Sequence, residues 1–432
     1  MSIRPKIAEH IAAIVAELQN AGYETYIVGG AVRDFLLERQ PKDYDLSTSA
    51  TPEQIRKVFA KRRVLIIGRR FRLVHLYHGK DIIEISTFRK RPEQSALPEP
   101  NERAAQAPEN MIFRDNEFGT AEEDAQRRDF TINSIFYDPI HDKLIDHTAY
   151  GVRDITAGIV RTIGDPKLRF EEDPVRILRA LKLVGQYSFV LEKETEKALH
   201  DCMPLIHHAS PSRMTLELEK ILKNPYGDRI LPCFHKFGFL TYFLPFLEEH
   251  YNSPQLRYAL DLLAKRNERL LAGKYRDSLS LVNAIFTLSF AEARLGKNPP
   301  GKLWENYPGI ENDFKDLISE IFYPHIVTKR STAAAIRSLL FQPRFKDPEA
   351  AQRFTGTHGY ATARELAVIR NALDGTIPDF EGRCPLPDPA NSGRRKSRRR
   401  GRRRRGKNKA QFISTASAPA NGNAAGASQQ NQ

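Results

Sequence analysis

The stretch Tyr23 to Val28, followed by Gly29-Gly30 and then Ala31 to Leu37, constrains this chain more than any other. A β-branched and aromatic run reads as a strand, two glycines as a turn, and the apolar spacing beyond them as a helix. Close behind comes Lys42-Asp43-Tyr44-Asp45. If Asp43 to Leu46 is a short strand, residues i and i+2 share a face, so Asp43 and Asp45 converge. Two carboxylates held together raise each other's pKa unless a cation separates them. Magnesium answers that need, because it takes carboxylate oxygens and substrate phosphates at once. Gly29-Gly30 lets backbone N–H groups approach those phosphates, and Arg33, one turn into the helix, offers them a donor. The bland alternative is an exposed acidic turn after Pro41, with the glycines as a plain loop. The strand–glycine–helix element upstream favours the chemical reading. Glu84, the acid inside Ile82-Ile83-Glu84-Ile85, is a candidate third carboxylate; a sheet-edge glutamate facing water explains it equally well.

Composition narrows the setting. The 432 residues suffice for about two to four domains, and 41% hydrophobic content excludes wholesale disorder. No apolar run is long enough for a membrane span. The N-terminus lacks an apolar segment ahead of a cleavage site, which argues against a secretory leader. Cys202, Cys233 and Cys384 are widely spaced and outside any CxxC, so a disulfide framework or zinc site is not expected and a cytoplasmic setting is. Of the +14 net charge, twelve basic residues fall between Arg394 and Lys409, leaving only +2 for the first 393 residues. The basicity belongs to a tail.

Local patterning divides the rest. Apolar spacing predicts a helix over 6–20, and Thr51-Pro52-Glu53-Gln54 opens another with a capping box. Phe71 to Tyr77 and Ile82 to Phe88 read as a hairpin. Residues 89–109, rich in Pro, Glu, Ala and Gln, read as a mobile loop beside the sheet. Helical periods dominate from Glu171 to Asp374. The outline is an α/β head with a mixed sheet (1–165), a helical neck binding nucleotide and RNA (166–248), a helical body (249–385) and a disordered arginine-rich tail (386–432).

Two further clusters carry chemistry. Arg127-Arg128-Asp129-Phe130-Thr131-Ile132-Asn133-Ser134 suits phosphate or ribose recognition, and equally a surface ion-pair network. In Glu172-Asp173-Pro174-Val175-Arg176-Ile177-Leu178-Arg179-Ala180-Leu181-Lys182, a helix starts at Asp173-Pro174. Arg176, Arg179 and Lys182 fall on one side of it and Ile177, Leu178, Leu181 and Val184 on the other. By composition alone this is a solvated basic face. A carboxylate beside a guanidinium nevertheless presents an acceptor next to a donor, which complements adenine and cytosine but not guanine or uracil. His75, His78, His207 and His208 lack partners at ligand spacing and read as ordinary histidines.

The ordered set Val28 to Asp34, Lys42 to Asp45, Arg127 to Asn133 and Glu172 to Arg176 resembles the motifs of the class II nucleotidyltransferases, shared by bacterial poly(A) polymerases and tRNA CCA-adding enzymes. Ile66 to His75, Phe113 to Gly119 and the arginine-rich C-terminus look like the poly(A) polymerase branch. The resemblance implies an α/β nucleotidyltransferase head followed by all-helical domains. It implies template-independent transfer of AMP from ATP to RNA 3′ ends, with two Mg²⁺ ions. CCA addition is the near alternative and a non-catalytic RNA-binding protein the distant one. It assigns Asp43 and Asp45 to the metal and Asp129 to the third acidic position, in competition with Glu84. Gly29, Gly30, Arg33 and Arg128 would hold phosphates or sugar, and Asp173 and Arg176, supported by Arg179, would read the base. Lys182 stands where an arginine is common in the CCA enzymes, and Glu38 where a small residue or glycine is expected. RNA would be held loosely by the tail arginines, Arg394, Arg395, Arg398, Arg399, Arg400, Arg402, Arg403, Arg404 and Arg405. RNA-decay proteins are the further partners the resemblance suggests.

Overall fold

Ile11, Ile14, Val15 and Leu18 recur at helical spacing, and all four are buried on the inner side of helix α1 (Glu9–Asn20). That face lies against a sheet whose first strand, β1 (Thr25–Val28), leads through Gly29 into α2 (Gly30–Leu36). In the computed structural model, the described residues are 7–68, 72–91, 117–295, 309–375, 377–384 and 386. They fall in one compact unit. The expected loop over 89–109 lies outside them except for its first three residues, and of the expected tail 386–432 only Leu386 is described.

The sheet contains β1, β2 (Asp45–Thr48), β3 (Val64–Ile67), β4 (Leu73–His78), β5 (Asp81–Thr87), β6 (Phe136–Asp138) and β7 (Lys143–Ile145). Their order is β3-β4-β5-β2-β1-β6-β7. Only the β2–β5 pairing is parallel, so the sheet is mixed, as the patterning predicts. The crossover from β2 is α3 (Pro52–Val58), with Thr51 and Gln54 closing the expected capping box. The β4–β5 hairpin turns at Gly79, where φ is +58°.

Three differences have local causes. Asp43 and Tyr44 precede β2, which begins at Asp45, so pleat alternation does not bring the two aspartates together. β3, β6 and β7 were not expected, because three- or four-residue strands hold too few residues for periodicity to register. Glu38 adopts φ +57°, the left-handed region, which is why a glycine or small residue is the natural expectation there.

Beyond the sheet the chain is helical, apart from the two-residue strands β8 (Ile159–Val160) and β9 (Val190–Leu191), which pair in parallel. Asp165 caps the helix Pro166–Glu172, accepting from Leu168 N at 2.8 Å. The next helix, Val175–Tyr187, buries Ile177, Leu178, Leu181 and Val184, as expected from its sequence. One apolar cluster runs without interruption from Ile7 to Ile369. Helix Val175–Tyr187 is pressed against helix Gly227–Lys236 at Gly185, where an added Cβ would lie 2.7 Å from Ile230 Cα. Gly185→Ala is therefore expected to cost about 1–3 kcal/mol by overpacking. Thermal denaturation checks this; an unchanged Tm means the two helices are not in close contact.

Candidate active site

Two glycines make room for two arginines. Gly29 has φ +71°, and a Cβ there would lie 3.3 Å from Arg128 Nη1; one on Gly30 would lie 3.3 Å from Arg33 Nη2. The guanidinium groups therefore lie directly over the backbone of the turn. Arg33 is buried and donates from Nη1 to Asn133 Oδ1 at 2.6 Å, from Nη2 to the Tyr187 hydroxyl at 2.7 Å, and from Nε to Asp34 Oδ1 at 3.0 Å. Arg128 donates from Nη2 to Asp124 Oδ2 at 2.9 Å and to Ser47 Oγ at 3.2 Å, and its Nε is buried without a partner. Asp124 is held well below the usual carboxylate range because Arg128 and Arg127 outweigh the effect of its burial.

Asp45 sits beside this turn. It pairs with Val28 across the β1–β2 ladder and with Glu84 across the parallel β2–β5 ladder. Its carboxylate reaches solvent, yet its pKa is pushed up to about 6. Burial is the largest cause, followed by Glu84; Arg128 opposes them and Asp43 adds to them. A carboxylate raised by burial and then by two acidic neighbours marks a corner short of positive charge, and a divalent cation suits it. Among the described residues no group of three or more His, Cys, Asp or Glu side chains forms a metal site. The donor set is one or two carboxylates, which fits magnesium completing its shell with water and substrate phosphates. It does not fit a protein-caged metal. Of the four histidines, His75 Nε2 lies 3.4 Å from Glu84 Oε1, His78 stacks on His10 and His207 packs on Tyr242; none enters a metal cluster.

Glu84 is the cross-strand neighbour of Asp45, and Asp129 stands in a separate set of contacts. Asp129 Oδ1 accepts from Asn133 Nδ2 at 3.1 Å and from Phe130 N at 2.9 Å, and its Oδ2 lies 3.7 Å from Arg179 Nη1. Through Asn133 it joins the group that fixes Arg33.

The base-reading pair expected from the sequence is arranged differently. Arg176 turns inward, donating to Glu172 Oε2 at 2.9 Å and to the Arg169 carbonyl at 2.7 Å. Glu172, almost fully buried, also takes Arg169 at 2.7 Å and Arg91. The guanidinium on Asp173 belongs instead to Arg213, on helix Pro211–Lys223, with Nη1 at 3.1 Å from Oδ1 and Nη2 at 2.8 Å from Oδ2. That fork lowers the pKa of Asp173 in spite of burial, with Arg179 and Arg176 adding to the effect. Arg179 stays partly exposed between Asp129 and Glu217. Arg213, Tyr187 and Ser47 are what sequence reasoning missed. None lies in a motif, and each acts from an element distant in sequence from its partner.

Comparison with known proteins bears on the chain's two matched segments and its fold. Residues 25–161 match the model of the poly A polymerase head domain, and 188–251 that of the probable RNA and SrmB-binding site of polymerase A. The curated relatives include poly(A) polymerase I of Haemophilus influenzae, 38% identical over 63% of this chain and 60% of that protein. They also include a CCA-adding enzyme of Geobacillus stearothermophilus, 36% identical over 62% of each. The chain carries segments matching that head domain and RNA-binding site, and over about 60% of its length it is similar to both kinds of enzyme. It spans about 60% of the length of the curated relatives it matches. The CCA-adding enzyme of Bacillus stearothermophilus, solved with CTP, aligns at TM-score 0.57 and 27% identity over 85% of this chain and 78% of that one. A tRNA nucleotidyltransferase solved with a primer tRNA and an incoming ATP analog aligns at TM-score 0.54 and 23% identity, covering 84% of this chain and 95% of that one, and shares the fold. No helix among the described residues is long and apolar enough to cross a membrane.

The raised pKa of Asp45 has a sign that can be measured. Because the folded protein binds that proton more tightly than the unfolded chain, the ionised carboxylate costs stability above the unfolded value of 3.8, fully so beyond about 6. Without divalent ions, Asp45→Asn should melt at a higher temperature than the parent at pH 8, with the difference fading below pH 5. A parent that melts higher throughout, in thermal scans against pH, contradicts the electrostatic description.

Proposed function

We propose that this chain extends RNA 3′ ends with AMP from ATP, without a template, as a cytoplasmic poly(A) polymerase. The observation that carries it is the position of Asp45, flanked by Val28 and the arginine-covered glycine turn on one side and by Glu84 on the other. Arg128 and Arg33, laid over the turn, offset triphosphate charge. Asp43 and Asp45, with Glu84 beside them, are the residues that would hold magnesium. When bound, that metal favours the ionised 3′-hydroxyl and offsets charge on the leaving pyrophosphate. The RNA 3′-oxygen forms a bond to the α-phosphorus as the bond to pyrophosphate breaks, with no covalent enzyme intermediate. Asp129 and Arg179 face the sugar side, and Asp173 with Arg213 the base.

Specificity for one nucleotide is favoured by the fork on Asp173. A free Asp–Arg pair complements both adenine and cytosine, and accepting both requires that the pair shift to follow the smaller ring. Asp173 is fixed at both oxygens by Arg213, so the pocket keeps one size. The arginine-rich segment 394–409, outside the described residues, would keep RNA near by charge alone. CCA addition remains the second reading because CCA-adding relatives reach 39% identity, comparable with the poly(A) polymerases. RNA-decay proteins are partners proposed on the same footing.

Supplying each NTP singly to the purified chain with an oligoribonucleotide, with magnesium and with chelator, tests the reading. Long tails from ATP alone support it; two C and one A confined to tRNA ends support the second reading instead. Asp43→Ala should lower incorporation about 10³-fold, in line with several kcal/mol of lost charge stabilisation. Retained activity in that variant assigns the chemistry elsewhere, and a parent unable to incorporate any NTP leaves only an RNA-binding role. Arg213→Ala should narrow the ATP-to-CTP preference in kcat/KM by roughly tenfold; an unaltered ratio removes Arg213 from base selection.

A further inference from the structure

One side of Asp45 holds the residues proposed to meet a triphosphate; the other side is, among the described residues, open sheet. The pairing registers give the rows on that open face. Asp45 is level with Glu84 on β5, Glu84 with His75 on β4, and His75 with Leu65 on β3. The next rows place Tyr77 beside Ile82, and Ile67 beside Leu73. Alternate residues of the same strands, Ile66, Val74, Leu76, Ile83 and Ile85, point the other way into the core. A soluble sheet with one buried face is expected to be polar on its other face. Here Leu65, Ile67 and Ile82 are 42%, 41% and 49% exposed.

The rim of this apolar floor is cationic. Arg63 is exposed with its guanidinium 4.4 Å from the centre of the Tyr77 ring, and Arg72, next to Leu73, is paired with Glu53 while remaining half-exposed. Three strand spacings of roughly 4.8 Å carry the floor from Asp45 to Leu65. Sheet faces of this size seat about two or three splayed bases in known RNA-binding modules.

We propose that the outward face of β3, β4 and β5, floored by Leu65, Ile67, His75, Tyr77 and Ile82, seats the last nucleotides of the acceptor RNA. This rests on the polymerase reading and deepens it. In-line displacement requires attacking and leaving oxygens on opposite sides of the phosphorus. The leaving pyrophosphate belongs on the arginine side at Gly29-Gly30, so the 3′-hydroxyl has to arrive from the β5 side. Apolar and aromatic side chains there stack bases without regard to sequence, and Arg63 and Arg72 meet phosphates. The face is continuous with the carboxylate corner through Glu84, which gives the strand a path ending at the reacting atoms.

A short oligoadenylate with 4-thiouridine at its 3′ end, irradiated on the full chain and mapped by peptide, tests the seat without catalysis. Crosslinks within 63–83 are expected, and Ile82→Glu should abolish them, raise the KM for RNA about tenfold and leave the KM for ATP unchanged. Ile82→Phe, which keeps an apolar surface, should retain both crosslink and KM. Crosslinks confined to other peptides, or an RNA KM indifferent to Ile82→Glu, overturn the proposal. So does a dimer of the chain that Ile82→Glu dissociates, since the face then serves a second copy. A parent that crosslinks here but incorporates no nucleotide defeats the polymerase reading while leaving the RNA seat intact.

Discussion

Repulsion between two carboxylates, imposed by the backbone, is what the rest of the site is arranged around. The parallel pairing of β2 with β5 sets Asp45 beside Glu84 whatever their charges prefer. Together with burial, which is the larger cause, it lifts the pKa of Asp45 to about 6, against the opposing effect of Arg128 from the neighbouring motif. The same guanidinium lies over Gly29 and is anchored by Asp124 and Ser47. A fixed cation that only partly offsets a fixed pair of anions leaves a local need for positive charge, which under the proposed function a divalent ion on a triphosphate would meet.

Arg33 joins this corner to the helical region. Its guanidinium contacts Asn133, which holds Asp129, and Tyr187, at the last turn of the helix carrying Arg176 and Arg179. The Tyr187 hydroxyl also donates to Asp34 at 2.7 Å, and its ring lies 4.6 Å from the Arg33 guanidinium. The glycine turn's arginine, Asp129 and the end of that helix are thereby joined in one network of hydrogen bonds. Loss of either end leaves the other with unpaired polar groups, which is costly in a low-dielectric interior. Sub-ångström placement of a nucleotide between them is the kind of task such a network suits.

Much of this was legible in the residues themselves. Gly29-Gly30, the Thr51 capping box, the buried stripe Ile177-Leu178-Leu181-Val184 and the mixed sheet followed by helices are all local consequences of glycine freedom, side-chain capping or 3.6-residue periodicity. The expected convergence of Asp43 and Asp45 on one strand face does not occur, since Asp43 lies before the strand rather than on it. The inward turn of Arg176 was not legible: a basic helical face looks the same whether its first arginine meets solvent or a buried Glu172.

By itself, the sequence determined where charge, glycine and apolar periodicity lie, and hence the elements and the residues able to do chemistry, because those depend on neighbours within a turn or two. Tertiary structure decided which of them meet. Glu84 stands beside Asp45 because a crossover through α3 makes β5 the parallel neighbour of β2. Arg213 rather than Arg176 grips Asp173 because helix packing brings a residue forty positions away within reach while Glu172 draws Arg176 inside. Pairing register and competition between buried ions are set by the whole chain at once, and no local window of residues contains them.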